Sequence, residues 1–328
     1  MSTQRALWIV SAITFMFLLY LIGTFAQINE QIHGFSILKK NTNLAVPKYH
    51  FVLVTQQYDN PYYRSIEKGA RIAADREHVD IEYAGPLRSD PAEQMKLIDK
   101  AINSDVDGII TQGLSGKEFA ALMEKAANTG IQVVTVDTDA PGSKRLSYVG
   151  TDNYSAGKLI GNQLAATIKE SGNIAIITGS NDESQKERVQ GILDAVKLYK
   201  NIHVAAIRLS QFSRIQAAAE VQTILNQTKN LTAIVGTSAY DGLGIYDALR
   251  NNKNTTCKIF GFDDLPDTID LLRKGKITAI AVQEPKLMGE IAVEQLVAKI
   301  HGKVPPKVTQ LESYVITADS LKFLGDFK

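Results

Sequence analysis

The sequence predicts an α/β fold made of two doubly wound parallel-sheet lobes. From residue 50 onward, short apolar strands alternate with amphipathic helices, a pattern typical of parallel sheets covered by helices on both faces. About eleven strands are expected, which is more than one compact doubly wound domain of ordinary size contains. The chain has 328 residues, enough for two domains that each bury a core.

The strands are recognised as short apolar segments rich in β-branched residues. In chain order they read HFVLVT, VDIEYA, VDGIIT, IQVVTVD, NIAIITG, IHVAAIRL, LTAIVGT, CKIFGFD and ITAIAVQ. The helices are recognised by apolar residues at helical spacing. They include AEQMKLIDKAI, KEFAALMEKAAN, SAGKLIGNQLAATIKE, RIQAAAEVQTILNQ and KLMGEIAVEQLVAKI.

Most of the strands end in polar or turn-forming residues, such as YDNPYY, DTDAPG, GSNDESQKER, GTSAYDG and GFDDLPD. In open α/β sheets, ligands bind at the carboxyl ends of the strands. If two such edges face each other, a small molecule lies in the cleft between the lobes.

The amino-terminal segment is predicted to be a transmembrane signal-anchor helix. Residues 6–26 read ALWIVSAITFMFLLYLIGTFA and carry no charge, and about 20 apolar residues span the hydrocarbon core of a bilayer. Residues 1–5 would be a cytoplasmic tip, and residues 27–47 a juxtamembrane linker to a globule outside the cytoplasm. A cleaved signal peptide is the alternative, because Thr24 to Ala26 form an acceptable cleavage site, although apolar regions of signal peptides usually run about 7–15 residues.

Composition and missing motifs exclude several functions. The formal net charge is +1, which argues against a nucleic-acid partner, and the only cysteine, Cys257, allows no disulfide framework or CxxC pair. The sequence contains no GxGxxG, GxxxxGK[ST], GxSxG or HExxH motif. Carboxylates are frequent at strand ends, but no nucleophile–base pair accompanies them. We therefore expect no enzyme activity, no cofactor and no metal site.

The segment YDNPYYRSIEKGA follows the first strand and opens the first helix of the globule. Asn60 suits the turn and Pro61 suits the first helical position. Tyr62 and Tyr63 then lie at the carboxyl end of the strand. Two neighbouring aromatic rings there could hold the apolar face of a sugar ring, or they could pack against the next helix.

Motifs of one known family occur here in that family's own order, over roughly residues 49–321. They are an Asn-Pro pair before two aromatics, an Asp ending the fourth strand, an Arg in ERVQGI, an aromatic before a Ser-Arg pair, a GFD segment and a glutamine near a hinge. Their residues are Asn60, Pro61, Tyr62, Tyr63, Asp137, Arg188, Phe212, Gly261, Phe262, Asp263 and Gln283. On these motifs the chain resembles the ribose-binding protein family, the type I periplasmic binding proteins.

The resemblance implies a monosaccharide ligand. Tyr62, Tyr63 and Phe212 would enclose the C–H face of the sugar. Its hydroxyls would bond the planar polar groups, and charged groups form the stronger hydrogen bonds. These groups belong to Asn60, Asp137, Arg188, Asp263 and Gln283.

The chain departs from the ribose-type pattern at two places. Thr138, followed by Asp139, stands where the family has an arginine, and Ser238 stands where it has an asparagine. These three residues are counted among the candidate ligand-binding residues. The cationic donor of the family's arginine is lost, and Asp139 adds an acidic acceptor. The ligand therefore need not be ribose, and it could be another pentose, a hexose or an inositol-like polyol.

The resemblance also implies a type I periplasmic binding protein fold with a three-segment hinge. The amino-terminal lobe would comprise residues 48–151 and 284–311, and the carboxyl-terminal lobe residues 152–283 and 312–328. With the predicted anchor, the expected partner is a sensor histidine kinase in the same membrane. Delivery of sugar to an ABC permease is the alternative. A transcription factor would need a helix-turn-helix headpiece, and an apolar segment stands in that place.

Overall fold

The computed structural model describes Met16, Gly23, Thr24 and residues 48–250 and 256–324. The chain divides into two compact units, Met1–Val46 and Pro47–Lys328. Met16, Gly23 and Thr24 are helical, and the rest of the predicted anchor (6–26) and linker (27–47) lies outside the described residues. None of the helices described is both long enough and apolar enough to cross a membrane.

The first sheet of the larger unit has six strands in the order β2-β1-β3-β4-β5-β11, and all its pairings are parallel. Every neighbouring pair therefore ends its strands at the same edge. These strands are β1 Tyr49–Val54, β2 Val79–Ala84, β3 Gly108–Thr111, β4 Gln132–Val136, β5 Ser147–Thr151 and β11 Val308–Leu311.

The second sheet repeats this order as β7-β6-β8-β9-β10-β12. Its pairings are parallel except that β12 runs antiparallel to β10. The strands are β6 Ser171–Thr178, β7 Asn201–Leu209, β8 Leu231–Gly236, β9 Lys258–Phe262, β10 Ala279–Val282 and β12 Tyr314–Thr317.

Helices cover both faces of each sheet. Helices α1 and α9 pack on one face of the first sheet and α2 and α3 on the other, while α4 and α5 and then α6 and α7 do the same for the second sheet. The helices described are α1 Pro61–Glu77, α2 Pro91–Ile102, α3 Lys117–Asn128, α4 Asn153–Thr167, α5 Glu183–Val196, α6 Arg214–Gln227, α7 Asp241–Arg250, α8 Pro266–Arg273, α9 Pro285–Ile300 and α10 Ala318–Leu324.

The structure confirms two α/β lobes built on parallel sheets, with one antiparallel strand, β12, at the edge of the second sheet. Only Glu312 and Ser313 separate β11 from β12. Because β11 ends at the cleft, so short a connection enters the second sheet at its carboxyl edge. Strand β12 must therefore run against its neighbour, and the sheet is mixed. Strands β5 (SYVGT) and β11 (VTQL) contain few large apolar residues and therefore do not stand out in the sequence.

The chain passes between the two sheets three times. It crosses at Asp152, before α4, at Gln283 and Glu284, before α9, and at Glu312 and Ser313. Helix α4 packs on the second sheet and α9 on the first, so each crossing helix covers the lobe that the chain has just entered. The residue at which each lobe begins and ends stays a prediction.

In each lobe, two helices touch at glycines. In the first lobe, a Cβ on Gly69 would lie 1.8 Å from the carbonyl oxygen of Lys286, and one on Gly289 would lie 2.0 Å from that of Ile66. Helices α4 and α5 meet in the same way in the second lobe, at Gly157 and Gly191. Because these contacts are with backbone, no side-chain rotation can relieve an added methyl group, and the helices would have to separate.

We expect Gly289→Ala to destabilise the first lobe. Forcing α1 and α9 apart opens the packing over the first sheet, and overpacking of this kind costs about 1–3 kcal/mol. Urea unfolding of the full chain measures the change. Gly142→Ala is the matched control, because nothing lies within 4 Å of the Cβ that it adds. Equal unfolding midpoints for the two variants would contradict this account of the helix contact.

Candidate functional site

The carboxyl edges of the two sheets enclose a small cavity. Nine of the eleven predicted ligand-binding residues line it, together with three residues that were not predicted. Its lining consists of Asn60, Tyr62, Tyr63, Asp137, Gln185, Arg188, Phe212, Ser238, Ala239, Tyr240, Asp263 and Gln283.

The first lobe presents its two tyrosines through the start of α1. Asn60 caps this helix, because its side-chain oxygen accepts a hydrogen bond from the backbone N–H of Tyr62 at 3.0 Å, and Pro61 begins it, as predicted. The Tyr62 hydroxyl donates to Asp137 Oδ1 at 2.9 Å, and the Tyr63 hydroxyl donates to Gln56 Oε1 at 2.8 Å. Both rings are buried in a cluster that also contains Ala239 of the second lobe. The tyrosines therefore line the cavity and also pack across the cleft.

Each lobe places one aspartate at the same point of its sheet. Asp137 follows β4 and Asp263 follows β9, and their backbones are left-handed, with φ of 62° and 65°. The backbone N–H of Asp137 donates to the carbonyl oxygen of Val149, and the backbone N–H of Asp263 donates to the carbonyl oxygen of Ala281. Few residues other than glycine adopt this conformation, and it is concentrated at functional sites. Here it directs two carboxyl groups into one cavity.

Arg188, on α5, supplies a positive charge that acts on both carboxyl groups. Its Nε donates to Asn153 Oδ1 at 2.8 Å, its Nη1 to the carbonyl oxygen of Thr237 at 2.8 Å, and its Nη2 to Gln283 Oε1 at 2.6 Å. The guanidinium lies 4.7 Å from the centre of the Phe262 ring, within cation–π distance. Gly157 permits this arrangement, because α4 could not otherwise approach the backbone of Arg188 so closely.

Gln283 connects the hinge to both charged partners. Its Nε2 donates to Asp263 Oδ1 at 2.7 Å, while its Oε1 accepts from Thr151 at 2.8 Å and from Arg188. Thr151 ends β5 and Gln283 follows β10, so this one side chain joins two of the three crossings.

Burial raises the pKa of both aspartates. Desolvation is the largest cause in each case, and the positive charge of Arg188 opposes it. The pKa of Asp137 is raised from its ordinary value, and that of Asp263 is raised from 3.8 to about 7. Burial, reinforced by the charge of Asp137, also raises the pKa of Tyr62 and Tyr63 well above 10. Both phenols therefore stay protonated and can donate hydrogen bonds.

Phe212 and Ser238 line the remaining part of the second lobe. Phe212 has a φ of 54°, and its ring lies over Gly179, where a Cβ would come within 2.3 Å of it. The Ser238 hydroxyl is buried and has no hydrogen-bond partner among the residues described. A buried polar group without a partner is uncommon and can mark a site for a ligand or a water.

A wider, more open cavity of about 910 Å³ adjoins the first at Phe212 and Tyr240. Gln57, Arg88 and Ser89 of the first lobe form one side of it. The rest of its lining comes from the second lobe, and this cavity is the mouth of the cleft.

Thr138 and Asp139 do not line the inner cavity. The Thr138 hydroxyl contacts Ser184 of the second lobe at 3.2 Å. The Asp139 carboxylate is held by the guanidinium of Arg145 in a two-pronged ion pair, and it also accepts from Thr135 and from its neighbour's backbone. Asp139 is thus occupied within its own loop, and we carry it no further as a ligand-binding residue.

The prediction missed Gln185, Ala239 and Tyr240. Gln185 lies one turn before Arg188 on α5, and Tyr240 lies in the polar segment GTSAYDG that follows β8. Both residues lie in strand-end segments that had been identified as polar from the sequence. Their positions could therefore have indicated a place in the cleft, although their residue types gave no further indication. In the described part of the chain, no cluster of His, Cys, Asp and Glu could hold a metal ion.

We expect Asp263→Asn to stabilise the protein near neutral pH in the absence of sugar. With a folded-state pKa of about 7 against 3.8, the wild-type carboxyl contributes stability that is present below pH 4 and is lost as the pH rises through 7. Asparagine keeps the Oδ1 acceptor for Gln283 but does not ionise. The gain above pH 7 should be on the order of a few kcal/mol.

Thermal unfolding at pH 5 and pH 8 measures this effect. Burial also raises the pKa of Asp241, to about 6. Because Asp241 is present in the wild type and in Asp263→Asn, the difference between their pH profiles reports on Asp263. Asp75→Asn, at an exposed position, should leave the pH profile unchanged. If Asp263→Asn were as pH-dependent as the wild type, the buried-carboxyl account would be wrong.

Comparison with known proteins agrees with the fold. Residues 51–303 match the family model described as the periplasmic binding protein domain. GanP, a glucose-galactose binding protein from Geobacillus stearothermophilus, is 45% identical with a TM-score of 0.80, over 83% of this chain and 98% of that one. The XylFII–LytSN complex contains a chain 34% identical, with a TM-score of 0.78 and coverage of 84% and 99%.

An ABC transporter solute-binding protein from Burkholderia graminis C4D1M, solved in complex with D-arabinose, is 30% identical with a TM-score of 0.79, over 84% of this chain and 96% of that one. The family consists of binding proteins, which confirms the prediction that the chain is not an enzyme. From its fold, its family match and these relatives, the chain belongs to the type I sugar-binding family of periplasmic binding proteins.

Proposed function

We propose that the protein binds one monosaccharide in the inner cavity. The observation that carries the proposal is the pair of buried carboxyl groups, one from each lobe, that face the same cavity beside the Arg188 guanidinium and four aromatic rings. A sugar has an apolar face and a ring of hydroxyls, and this set complements both. The relatives described as binding glucose and galactose, or D-arabinose, support the same ligand class.

Arg188 keeps donors for the sugar. A guanidinium has five N–H hydrogens, and three of them are used by Asn153, Thr237 and Gln283. One hydrogen remains on each Nη, and Arg188 is among the residues that line the cavity. The charge of the donor strengthens the hydrogen bonds that a sugar hydroxyl accepts there.

The two aspartates are the acceptors. Asp263 Oδ1 holds Gln283, and no residue in the described part of the chain donates to its Oδ2. Ser238 offers a hydroxyl in the same wall. Tyr62, Tyr63 and Phe212 provide the apolar surfaces, so we keep the three as stacking residues.

Binding is coupled to closure of the lobes, because neither lobe carries the whole set. Tyr62 and Asp137 come from the first lobe, and Arg188 and Asp263 come from the second. A ligand that touches both walls binds the closed arrangement more tightly than the open one, and this difference in affinity shifts the equilibrium toward closure.

We further propose that the protein is a membrane-anchored receptor outside the cytoplasm that signals lobe closure to a sensor histidine kinase. Residues 6–26 have the composition of a signal anchor. A tether keeps the receptor close to a membrane partner and raises the effective concentration of the pair. The complex of a 34% identical relative with a second protein, LytSN, supports a protein partner. The alternative is the substrate-binding subunit of an ABC transporter, which the description of the arabinose-bound relative supports.

Calorimetry of the full chain in detergent micelles tests sugar binding, with D-galactose, D-glucose and D-arabinose as titrants. We expect one site per chain. Arg188→Ala should weaken binding at least about 10–100-fold, because hydrogen bonds to a charged group are lost and the carboxyl groups lose their counter-charge. Arg208→Ala, at an exposed arginine of the same lobe, is the control and should bind as the wild type does.

Asp263→Asn guards against misfolding in that experiment, because it should stay folded and yet bind sugar at least about tenfold more weakly. No binding heat from any of the three sugars would contradict the proposal. So would unchanged affinity in Asp263→Asn.

Affinity capture from solubilised membranes, with and without the tightest-binding sugar, tests the partner. We expect a histidine kinase to co-purify with the full chain when sugar is present, and not with Asp263→Asn. Co-purification of a permease instead would support the transporter alternative. Amino-terminal sequencing of the native protein tests the anchor, and a chain that begins at Gln27 in the soluble fraction would contradict it.

A further inference from the structure

A row of four oxygen-bearing side chains crosses the cleft beside the cavity. The Thr138 Oγ1 lies 3.3 Å from Asp137 Oδ2 and 3.2 Å from Ser184 Oγ, and Ser184 Oγ lies 3.1 Å from Asp182 Oδ1. Asp137 and Thr138 belong to the first lobe, while Asp182 and Ser184 begin α5 of the second. The contact between the two hydroxyls therefore exists only when the lobes are together.

Neither hydroxyl lines the inner cavity, and both residues are buried, at 3% and 4% exposure. At this low exposure, a water molecule cannot easily take the place of either hydroxyl in the hydrogen bond between Thr138 and Ser184. Thr138 and Ser184 therefore act on the closure of the lobes rather than on the ligand directly.

The row contains three oxygen–oxygen contacts but only two hydroxyl hydrogens. Thr138 and Ser184 each supply one hydrogen. If both aspartates are ionised, one of the three contacts must join two oxygens with no hydrogen between them. Such a contact is repulsive, and a third hydrogen is needed to turn all three contacts into hydrogen bonds.

Asp137 is the group that can carry the third hydrogen. A proton on its Oδ2 donates to Thr138, Thr138 donates to Ser184, and Ser184 donates to Asp182, while Asp137 Oδ1 still accepts from Tyr62. Burial and the charge of Asp182 raise the pKa of Asp137. Asp182 instead caps α5, where its Oδ1 accepts from the Gln185 N–H as well as from Ser184, so it is the acceptor at the end of the row.

Other groups face Asp137 and act on its charge. Arg188 of the second lobe favours ionisation, whereas Asp263 and Asp182 oppose it. The Tyr62 hydroxyl on α1 also favours the charged form by donating to it, and the Thr138 hydroxyl does so whenever it donates to Oδ2. The Tyr148 hydroxyl on β5 donates to the backbone oxygen of Asp137 and not to its carboxyl group.

We propose that Thr138 and Ser184 latch the two lobes together, and that closing the latch takes up one proton from solvent on the Asp137 carboxylate. The proposal rests on the proposed function, since it treats sugar binding as the event that closes the lobes. One O–H bond forms on Asp137, and one bond to hydrogen breaks in the hydronium ion or buffer acid that supplies the proton. Above the pKa that Asp137 has in the open protein, sugar affinity falls as the pH rises, by up to tenfold per pH unit.

Calorimetry in buffers of different ionisation enthalpy at pH 7.5 tests the latch on the full chain in detergent micelles, with the tightest-binding of D-galactose, D-glucose and D-arabinose. The dependence of the observed heat on the buffer gives the number of protons taken up per sugar. Without its latch partner, Thr138 can donate to an ionised Asp137. We therefore expect Ser184→Ala to take up fewer protons than the wild type, by as much as one, and to bind about threefold to tenfold more weakly at pH 6.

Thr138→Val, which keeps the shape of the side chain, is the second variant and should bind sugar about threefold to tenfold more weakly at pH 6, because it removes the same contact between the lobes. Ser104→Ala, at an exposed serine, is the control and should match the wild type. Asp263 is unchanged in all of these proteins, so its own titration cancels in the comparison. Sugar binding with equal proton uptake in the wild type and Ser184→Ala, or with unchanged affinity in Thr138→Val, would overturn the latch alone, whereas no sugar binding by the wild type would overturn the proposed function and the latch with it.

Discussion

The buried guanidinium of Arg188 is the group on which the second wall of the cleft depends. Its three hydrogen bonds reach Asn153 after the first crossing, the end of β8 at Thr237, and Gln283 at the second crossing. A buried charge is costly unless opposite charge and hydrogen bonds compensate for the lost water. These three segments must therefore keep one arrangement, and that arrangement forms the floor of the cavity.

The requirement extends from this side chain into the helix packing. Arg188 can meet Asn153 only because α4 and α5 touch at Gly157 and Gly191, where no side chain separates the helices. The first lobe contains the same contact between α1 and α9. There it sets the direction of α1, whose first turn carries the two tyrosines of the cavity. In both lobes, a glycine contact between helices fixes the position of a polar or aromatic group at the cleft.

The two lobes contribute equivalent parts because they repeat one topology. Sheets with the same strand order place a left-handed aspartate after equivalent strands, β4 and β9. The ligand-binding residues and the latch residues also lie on the same segments of the chain. Thr138 directly follows Asp137, and Ser184 lies one turn before Arg188 on α5. A movement that brings the ligand groups together therefore also brings the two hydroxyls together, and for this geometric reason ligand binding and lobe closure are a single event in our proposal.

Patterns local to the chain were enough to predict the two α/β lobes and the polar edges of their sheets, whereas the choice of individual cavity residues came from the resemblance to the ribose-binding family. Strand and helix periodicities depend on neighbouring residues, and parallel strands bring their polar carboxyl ends to one edge, so residues such as Asp137 and Asp263 could be placed in a cleft before any contact was known. Contacts between distant segments carried no such signal. Asp139 looks like a second acceptor in the sequence, yet its loop turns it toward Arg145. The direction of β12 follows from its entry at the cleft edge. Thr138 meets Ser184, 46 residues away and in the other lobe, because only the packed lobes decide which of many strand-end side chains come within hydrogen-bond distance.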